Sequence, residues 1–297
     1  MTLPNFLIIG AAKSGTTALY HYLKQHPQVY MSPQKETNFF AFEGQRVHFR
    51  GPGDEETSDS IITTLDSYED QFRAASNESA IGEASPWYLY SADAATNIYR
   101  RIPDAKLIAV LRNPADRAFS SYLHVVRHGR ENLGFEEGLL AEEERIAQGW
   151  EPIWHYQRVG FYAEQVKSYL DLFGREQTRF YLYDDFLKDP YGVLTEIYEF
   201  LGVDPDFVAD TSVKPNVTGV PKNRLLGRLV FQPNPLKATA RMFVPKQLRY
   251  ELSQKLGQRL LVRPSQGLAV RAKLLRRFKP DILHLQELIG RDLSAWT

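Results

Sequence analysis

The 297-residue chain contains no cysteine. That excludes disulfides and thiolate chemistry, and it fits a reducing compartment. No apolar run approaches the roughly 18 residues that a membrane span needs. The opening "MTLPNFLIIG" has no basic region, and its apolar run is too short for a signal peptide, so a cytoplasmic protein is expected. Net charge is also absent: 36 Lys and Arg balance 36 Asp and Glu, which gives no overall pull toward a polyanion. What remains is ordinary for a globular protein, and 43% hydrophobic residues supply a sizeable core. The length allows one large domain or two small ones.

The balance hides a local excess. Between Lys214 and Lys279 there are 16 Lys or Arg and one acid, Glu251, while acids gather in "DEETSD" (54–59) and "EEGLLAEEE" (136–144). The basic stretch is either a solvated helical surface or a contact for an anionic partner such as a nucleotide, an acidic polysaccharide or a membrane surface.

Apolar runs alternate with helical patterns. "NFLIIG" reads as a buried strand and "TTALYHYLKQH" as a helix. "AIGEASPWYLY" (80–90) reads as a short strand turning at Pro86. "KLIAVLRNP" (106–114) is a strand apolar on both faces, as parallel strands are. "DRAFSSYLHVVRHG" is a helix ending near Gly129, and "GFYAEQVKSYLDLFG" (160–174) a helix stopped by Gly174. "TRFYLYDDF" (178–186) is a further strand and "YGVLTEIYEFLGV" (191–203) a further helix. This alternation implies a parallel sheet with right-handed crossovers. Residues 45–62 read as loop, and 204–250, rich in proline, as irregular.

Two strand ends carry the chemistry. "IIGAAKSGTT" leads from strand to helix, where free N–H groups and the helix dipole favour an anion. Gly15 allows close backbone approach, Thr16 and Thr17 add hydroxyls, and Lys13 adds a full charge. In the nucleotide-hydrolase loop the lysine follows the second glycine; here Lys13 precedes Gly15. Mg-dependent nucleotide hydrolases also place an Asp after a neighbouring strand to help hold the metal. Here "LIAVL" ends in Arg112, which repels Mg²⁺ and attracts a second phosphate, and Ser120 follows on the next helix. The alternative is that Arg112 is a structural partner for an acid such as Glu83. A nucleotide with phosphates on both its 5′ and 3′ sides satisfies both strand ends.

These segments resemble the sulfotransferases that use 3′-phosphoadenosine 5′-phosphosulfate (PAPS), most closely the heparan sulfate and related carbohydrate branch with its bacterial relatives. "IIGAAKSGTTALYHYLKQHPQV" resembles the 5′-phosphosulfate loop. "LRNPADRAFSSY" resembles the 3′-phosphate motif, with Arg112 and Ser120 in its key positions, and "QKETNFF" resembles the segment bearing that branch's catalytic glutamate. "FYAEQVKSYLDLFG", "FYLYDDFLKDPYGVLTEIYEFLGV" and "PDILHLQELIGRDLSAW" resemble framework segments. Residues 206–275 are not covered.

The resemblance implies an α/β fold related to the P-loop nucleotide kinases, a central parallel sheet flanked by helices in a single domain over 1–297. It implies PAPS as co-substrate, no required metal, and sulfuryl transfer to a hydroxyl or amine of a carbohydrate or other small acceptor, with no nucleic-acid partner. Lys13, Ser14, Gly15, Thr16 and Thr17 hold the 5′ side, Arg112 and Ser120 the 3′-phosphate, and Lys222 and Arg224 lie in a basic loop that closes near it. Glu36 is the expected general base, Lys13 stabilises the leaving oxygen, and His124 is the rival base. Glu83, Trp87 and Tyr88 are expected in the acceptor cleft, although Trp87 also suits plain core. Asn38 stands where a histidine is common, and Ala84 where a lysine often contacts the acidic sugar, which argues against a highly sulfated acceptor. Two other readings remain: a P-loop kinase using ATP and Mg²⁺, and a non-catalytic binder of anionic glycan or membrane through 214–279.

Overall fold

The computed structural model describes residues 3–212, 219–221, 261–262 and 264–297. Its centre is a five-stranded sheet of β1 (Phe6–Gly10), β2 (Val29–Met31), β3 (Ala80–Ala84), β4 (Lys106–Leu111) and β5 (Thr178–Leu182). The spatial order is β2-β3-β1-β4-β5, and every pairing is parallel. The expected parallel sheet is therefore present.

Strand alternation splits the core into two layers. Phe6, Ile8, Ile108 and Val110 pack with Leu19 and Leu23 of helix α1 (Thr16–Leu23). Leu7, Ile9, Leu107 and Ala109 pack on the other face. Their partners there come from helix α3 (Ala163–Gln177) and from the C-terminal helix α5 (Leu268–Ile289), including Val166, Tyr169, Phe278 and Ile282. Helix α2 (Pro114–Arg127) follows β4, and helix α4 (Pro190–Leu201) joins the α1 layer. Among the described residues, no helix is long and apolar enough to cross a membrane.

Register fixes where the functional loops meet. Leu7 pairs with both Glu83 and Leu107, and Ile8 with both Ala84 and Ile108. The carboxyl ends of β1, β3 and β4 therefore finish side by side. From β1 the chain runs out to β2 and back to β3 on one flank, then crosses to β4 on the other, so β1 lies at the switch point where open α/β sheets bind ligands.

Three expectations are corrected. The strand expected over 178–186 stops at Leu182, and Tyr183–Lys188 is a short helix. The stretch 45–62 contains a helix at Glu55–Ser60, and β2 was not anticipated at all. Most of the segment 204–250 lies outside the described residues.

Candidate active site

After β1 the chain turns through residues 11–15 and enters α1, with Gly15 at the N-cap in the left-handed region (φ 91°) and no side chain capping the first turn. Two constraints make this position glycine. A side chain is disfavoured at that φ, and a Cβ would sit 3.0 Å from the Tyr183 ring. The first-turn N–H groups of such a helix have no intrahelical partner and face the ligand side. Thr16 is buried and Thr17 half-buried at that turn; Ser14 is fully buried.

Arg112 closes on this loop from 99 residues away. Its Nη1 donates to the Lys13 carbonyl at 3.0 Å, and its guanidinium lies 4.7 Å from the centre of the Tyr183 ring. The Tyr162 hydroxyl donates to the Arg112 carbonyl at 3.1 Å and steadies the strand end. Next in sequence, Asn113 caps α2 by accepting from the N–H groups of Ala115 (3.0 Å) and Asp116 (3.3 Å), with Pro114 in the first turn. Ser120 lies on this helix with 2% of its surface exposed. The two strand ends, read separately in the sequence, are thus one neighbourhood.

Its electrostatics suit a multiply charged anion. Lys13 also has positive φ (70°), uncommon for a residue with a side chain. Burial lowers its pKa to about 7, Arg127, Lys35 and Arg112 push the same way, and Glu36 opposes them. Among the described residues, three cations and one carboxylate act on this lysine, an excess of positive charge that a bound anion relieves. A proton count follows. In the free fold Lys13 is largely neutral between about pH 7 and its ordinary 10.5, whereas the unfolded chain keeps it protonated. Through that window the unfolded state binds more protons, so this group makes stability rise with pH. An anion that restores the charge reverses the effect. Adenosine 3′,5′-bisphosphate binding at pH 8 is expected to take up close to one proton, seen as a dependence of calorimetric heat on buffer ionisation enthalpy; heats independent of buffer would contradict it.

His124 sits on α2 against this lysine. Lys13 Nζ lies 3.1 Å and Arg127 Nη2 3.3 Å from its Nδ1. Arginine only donates, so Nδ1 is the acceptor and the ring proton is on Nε2. Burial first, then Lys13, His128, Arg127 and Arg130, hold the imidazole pKa well below its ordinary value. A ring whose Nδ1 is already engaged by Lys13 and Arg127 is poorly suited to the base role that the sequence allowed it.

Glu36 lies on the loop between β2 and the short helix Phe39–Phe42. Its N–H donates to the Ala84 carbonyl at 2.9 Å, which brings it to the carboxyl end of β3, beside β1. Its φ is 66°, and that of Asn38 is 53°. Backbone conformations of this kind persist only where surroundings over-determine them, and they concentrate at functional sites. The carboxylate pairs with Lys35, and its side chain is 40% exposed, enough to reach an incoming acceptor. Its charge is felt at Lys13, so the two expected catalytic residues share one space.

Other expectations fare differently. Glu83, Trp87 and Tyr88 were expected in the acceptor cleft, with core as the alternative for Trp87; their exposures are 0%, 6% and 0%. Glu83 is not the partner of Arg112 either, since its carboxylate takes hydroxyl donors from Tyr88 (2.5 Å), Ser85 (2.7 Å) and Tyr68 (3.3 Å). Lys222 and Arg224 lie outside the described residues. Tyr183, Arg127 and Tyr162 were missed. Tyr183 was hidden by reading 178–186 as one strand, and ending that strand four residues earlier brings its ring to the loop.

The model of the sulfotransferase family matches residues 4–207. The chain belongs to the sulfotransferase family. The chain is similar over its whole length to a sulfotransferase of Alicyclobacillus acidocaldarius, at 40% identity and a TM-score of 0.80, covering 100% of this chain and 99% of that one. It is 30% identical over 219 residues to bifunctional heparan sulfate N-deacetylase/N-sulfotransferase 4 of Mus musculus, covering 69% of this chain and 23% of the relative. It is 29% identical over 201 residues to human heparan sulfate glucosamine 3-O-sulfotransferase 3B1, covering 68% of this chain and 46% of the relative. The chain thus spans less than half the length of either of these two.

Proposed function

We propose that the protein transfers a sulfuryl group from PAPS to a hydroxyl or amine, with a carbohydrate as the favoured acceptor class. The observation that carries this reading is the hydrogen bond from Arg112 to the Lys13 carbonyl, which joins two cationic strand ends into one cradle for an anion charged at both ends. The residues fit that ligand: an uncapped helix start at Gly15, a close approach that a Cβ would fill, and an excess of positive charge around Lys13.

PAPS supplies a sulfuryl group held to phosphate as a mixed anhydride. The N–H groups at the start of α1 and the Lys13 ammonium meet the charge that grows on the bridging oxygen. Glu36 takes the acceptor proton. The acceptor oxygen or nitrogen bonds to sulfur as the sulfur–oxygen bond to phosphate breaks, and the electron pair of that bond stays on the phosphate oxygen beside Lys13. Arg112 and Ser120 hold the 3′-phosphate and so fix the sulfur in line. The heparan sulfate relatives support a glucosamine-containing polysaccharide as acceptor. Ala84, without a cation, favours an acceptor that is not already heavily sulfated.

The test is a melting curve in EDTA. Adenosine 3′,5′-bisphosphate is expected to raise the melting temperature without Mg²⁺. No shift with the bisphosphate, together with a shift from ATP only when Mg²⁺ is present, would replace this reading by that of a P-loop kinase.

A further inference from the structure

Glu83 is fully buried at the end of β3 and, among the described residues, has no ion-pair partner. A lone buried carboxylate is costly, and burial pushes its pKa up while the hydroxyls of Tyr88, Ser85, Thr37 and Tyr68 pull it back. The hydroxyls are not arranged at random. An ionised carboxylate only accepts, so each hydroxyl beside it must spend its proton there and present a lone pair outward.

Two of those lone pairs meet the loop that carries Glu36. Ser85 Oγ donates to Glu83 at 2.7 Å and accepts the N–H of Asn38 at 3.0 Å. The Tyr88 hydroxyl donates to Glu83 at 2.5 Å and accepts the N–H of Phe40 at 3.4 Å, with Thr37 Oγ1 a further 3.2 Å neighbour. On the near side, Asn38 Nδ2 donates to the Glu36 carbonyl at 3.2 Å. Residues 36 and 38 both hold positive φ, a conformation that needs such support.

We propose that Glu83 is a positioning residue for Glu36: one buried carboxylate polarises Ser85 and Tyr88 so that both accept from the 38–40 backbone and hold residue 36 in the conformation from which its carboxylate acts. The inference rests on Glu36 being the general base and deepens that reading. Glu83 touches neither nucleotide nor acceptor; it acts through the two hydroxyls.

Glu83→Gln tests this because it keeps the shape and reverses one polarity. The amide NH₂ must donate to a neighbouring hydroxyl, which then points its own proton at a loop N–H. In the full chain, the Asn38 and Phe40 amides should exchange faster by about 10- to 100-fold, the loss expected when a buried donor goes unpaired. The amides of β1 and β4 should keep their protection. Transfer from PAPS to chemically desulfated heparin should slow by a similar factor while affinity for adenosine 3′,5′-bisphosphate holds within about twofold. Because Glu83 acts through Glu36, adding Glu83→Gln to Glu36→Gln should cost little more. If Glu83→Gln does not fold, Ser85→Ala removes one arm alone and must show the same exchange at Asn38. Unchanged exchange at both amides, or losses that multiply in the double variant, would overturn the inference. The exchange readout is independent of turnover, so it separates a failure here from a failure of the general-base reading, which near-normal turnover in Glu36→Gln would show.

Discussion

Lys13→Ala is expected to slow sulfuryl transfer by about 10²–10³, the loss typical of removing one well-placed donor from developing charge. Binding of adenosine 3′,5′-bisphosphate should suffer much less. Three features argue for that split. The backbone N–H groups of the α1 start and Arg112 remain to hold the product. The Lys13 side chain is half-buried and crowded by Arg127, Lys35 and Arg112, so holding it charged beside the product costs repulsion with those cations. Removing it relieves that repulsion, which partly offsets the lost attraction to product. The bridging oxygen gains charge only as the bond breaks, so the attraction is strongest in the transition state. Steady-state rates with product affinities measured in parallel check the split. Equal losses in both would mean that Lys13 only holds the ground state.

Glu36→Gln is expected to lower turnover by about 10²–10⁴, the range for a positioned base, with nucleotide affinity kept. The amide cannot take a proton, yet it can occupy the same volume, and the backbone bond from residue 36 to the Ala84 carbonyl does not involve the side chain. The ion pair with Lys35 is lost, and Lys13 loses its one opposing carboxylate. The Lys13 pKa should therefore fall further, and the pH at which the bisphosphate takes up a proton should move down with it. Turnover near normal would remove Glu36 from the base role, and His124, whose Nδ1 already faces Lys13 and Arg127, is a poor replacement.

The parts of this site written in local sequence were legible. A buried strand ending in glycine, a small-residue turn and a helix start define the loop at 11–17 without help from elsewhere, and an arginine at the end of the apolar run 106–111 has few meanings beside it. The parts decided by packing were not. Glu83, Trp87 and Tyr88 look like cleft residues because a carboxylate and two aromatics surround a Ser-Pro turn. Glu83 and Tyr88 are covered by Tyr68 and residues 37–40, and Trp87 by a cluster with Ala118 and Trp154, all from outside the segment. The strand β2 is three residues long, too short for alternation to register. Tyr183 continues the apolar pattern of β5 and gives no local sign that the chain turns helical there. The helix α5 begins well before the recognisable "PDILHLQELIG", under a run of basic residues, and passes through Pro280. What identifies it as core is the contact of Phe278 and Ile282 with the sheet layer.

The central claim is that Arg112 and the 13–17 loop hold opposite ends of one doubly phosphorylated adenosine. A crystal structure of the complex with adenosine 3′,5′-bisphosphate tests it directly. The account predicts the Arg112 guanidinium and the Ser120 hydroxyl on the 3′-phosphate, with Lys13 and the N–H groups of residues 15–17 on the 5′-phosphate. A 3′-phosphate left in solvent, with Arg112 still on the Lys13 carbonyl and the Tyr183 ring, would contradict it.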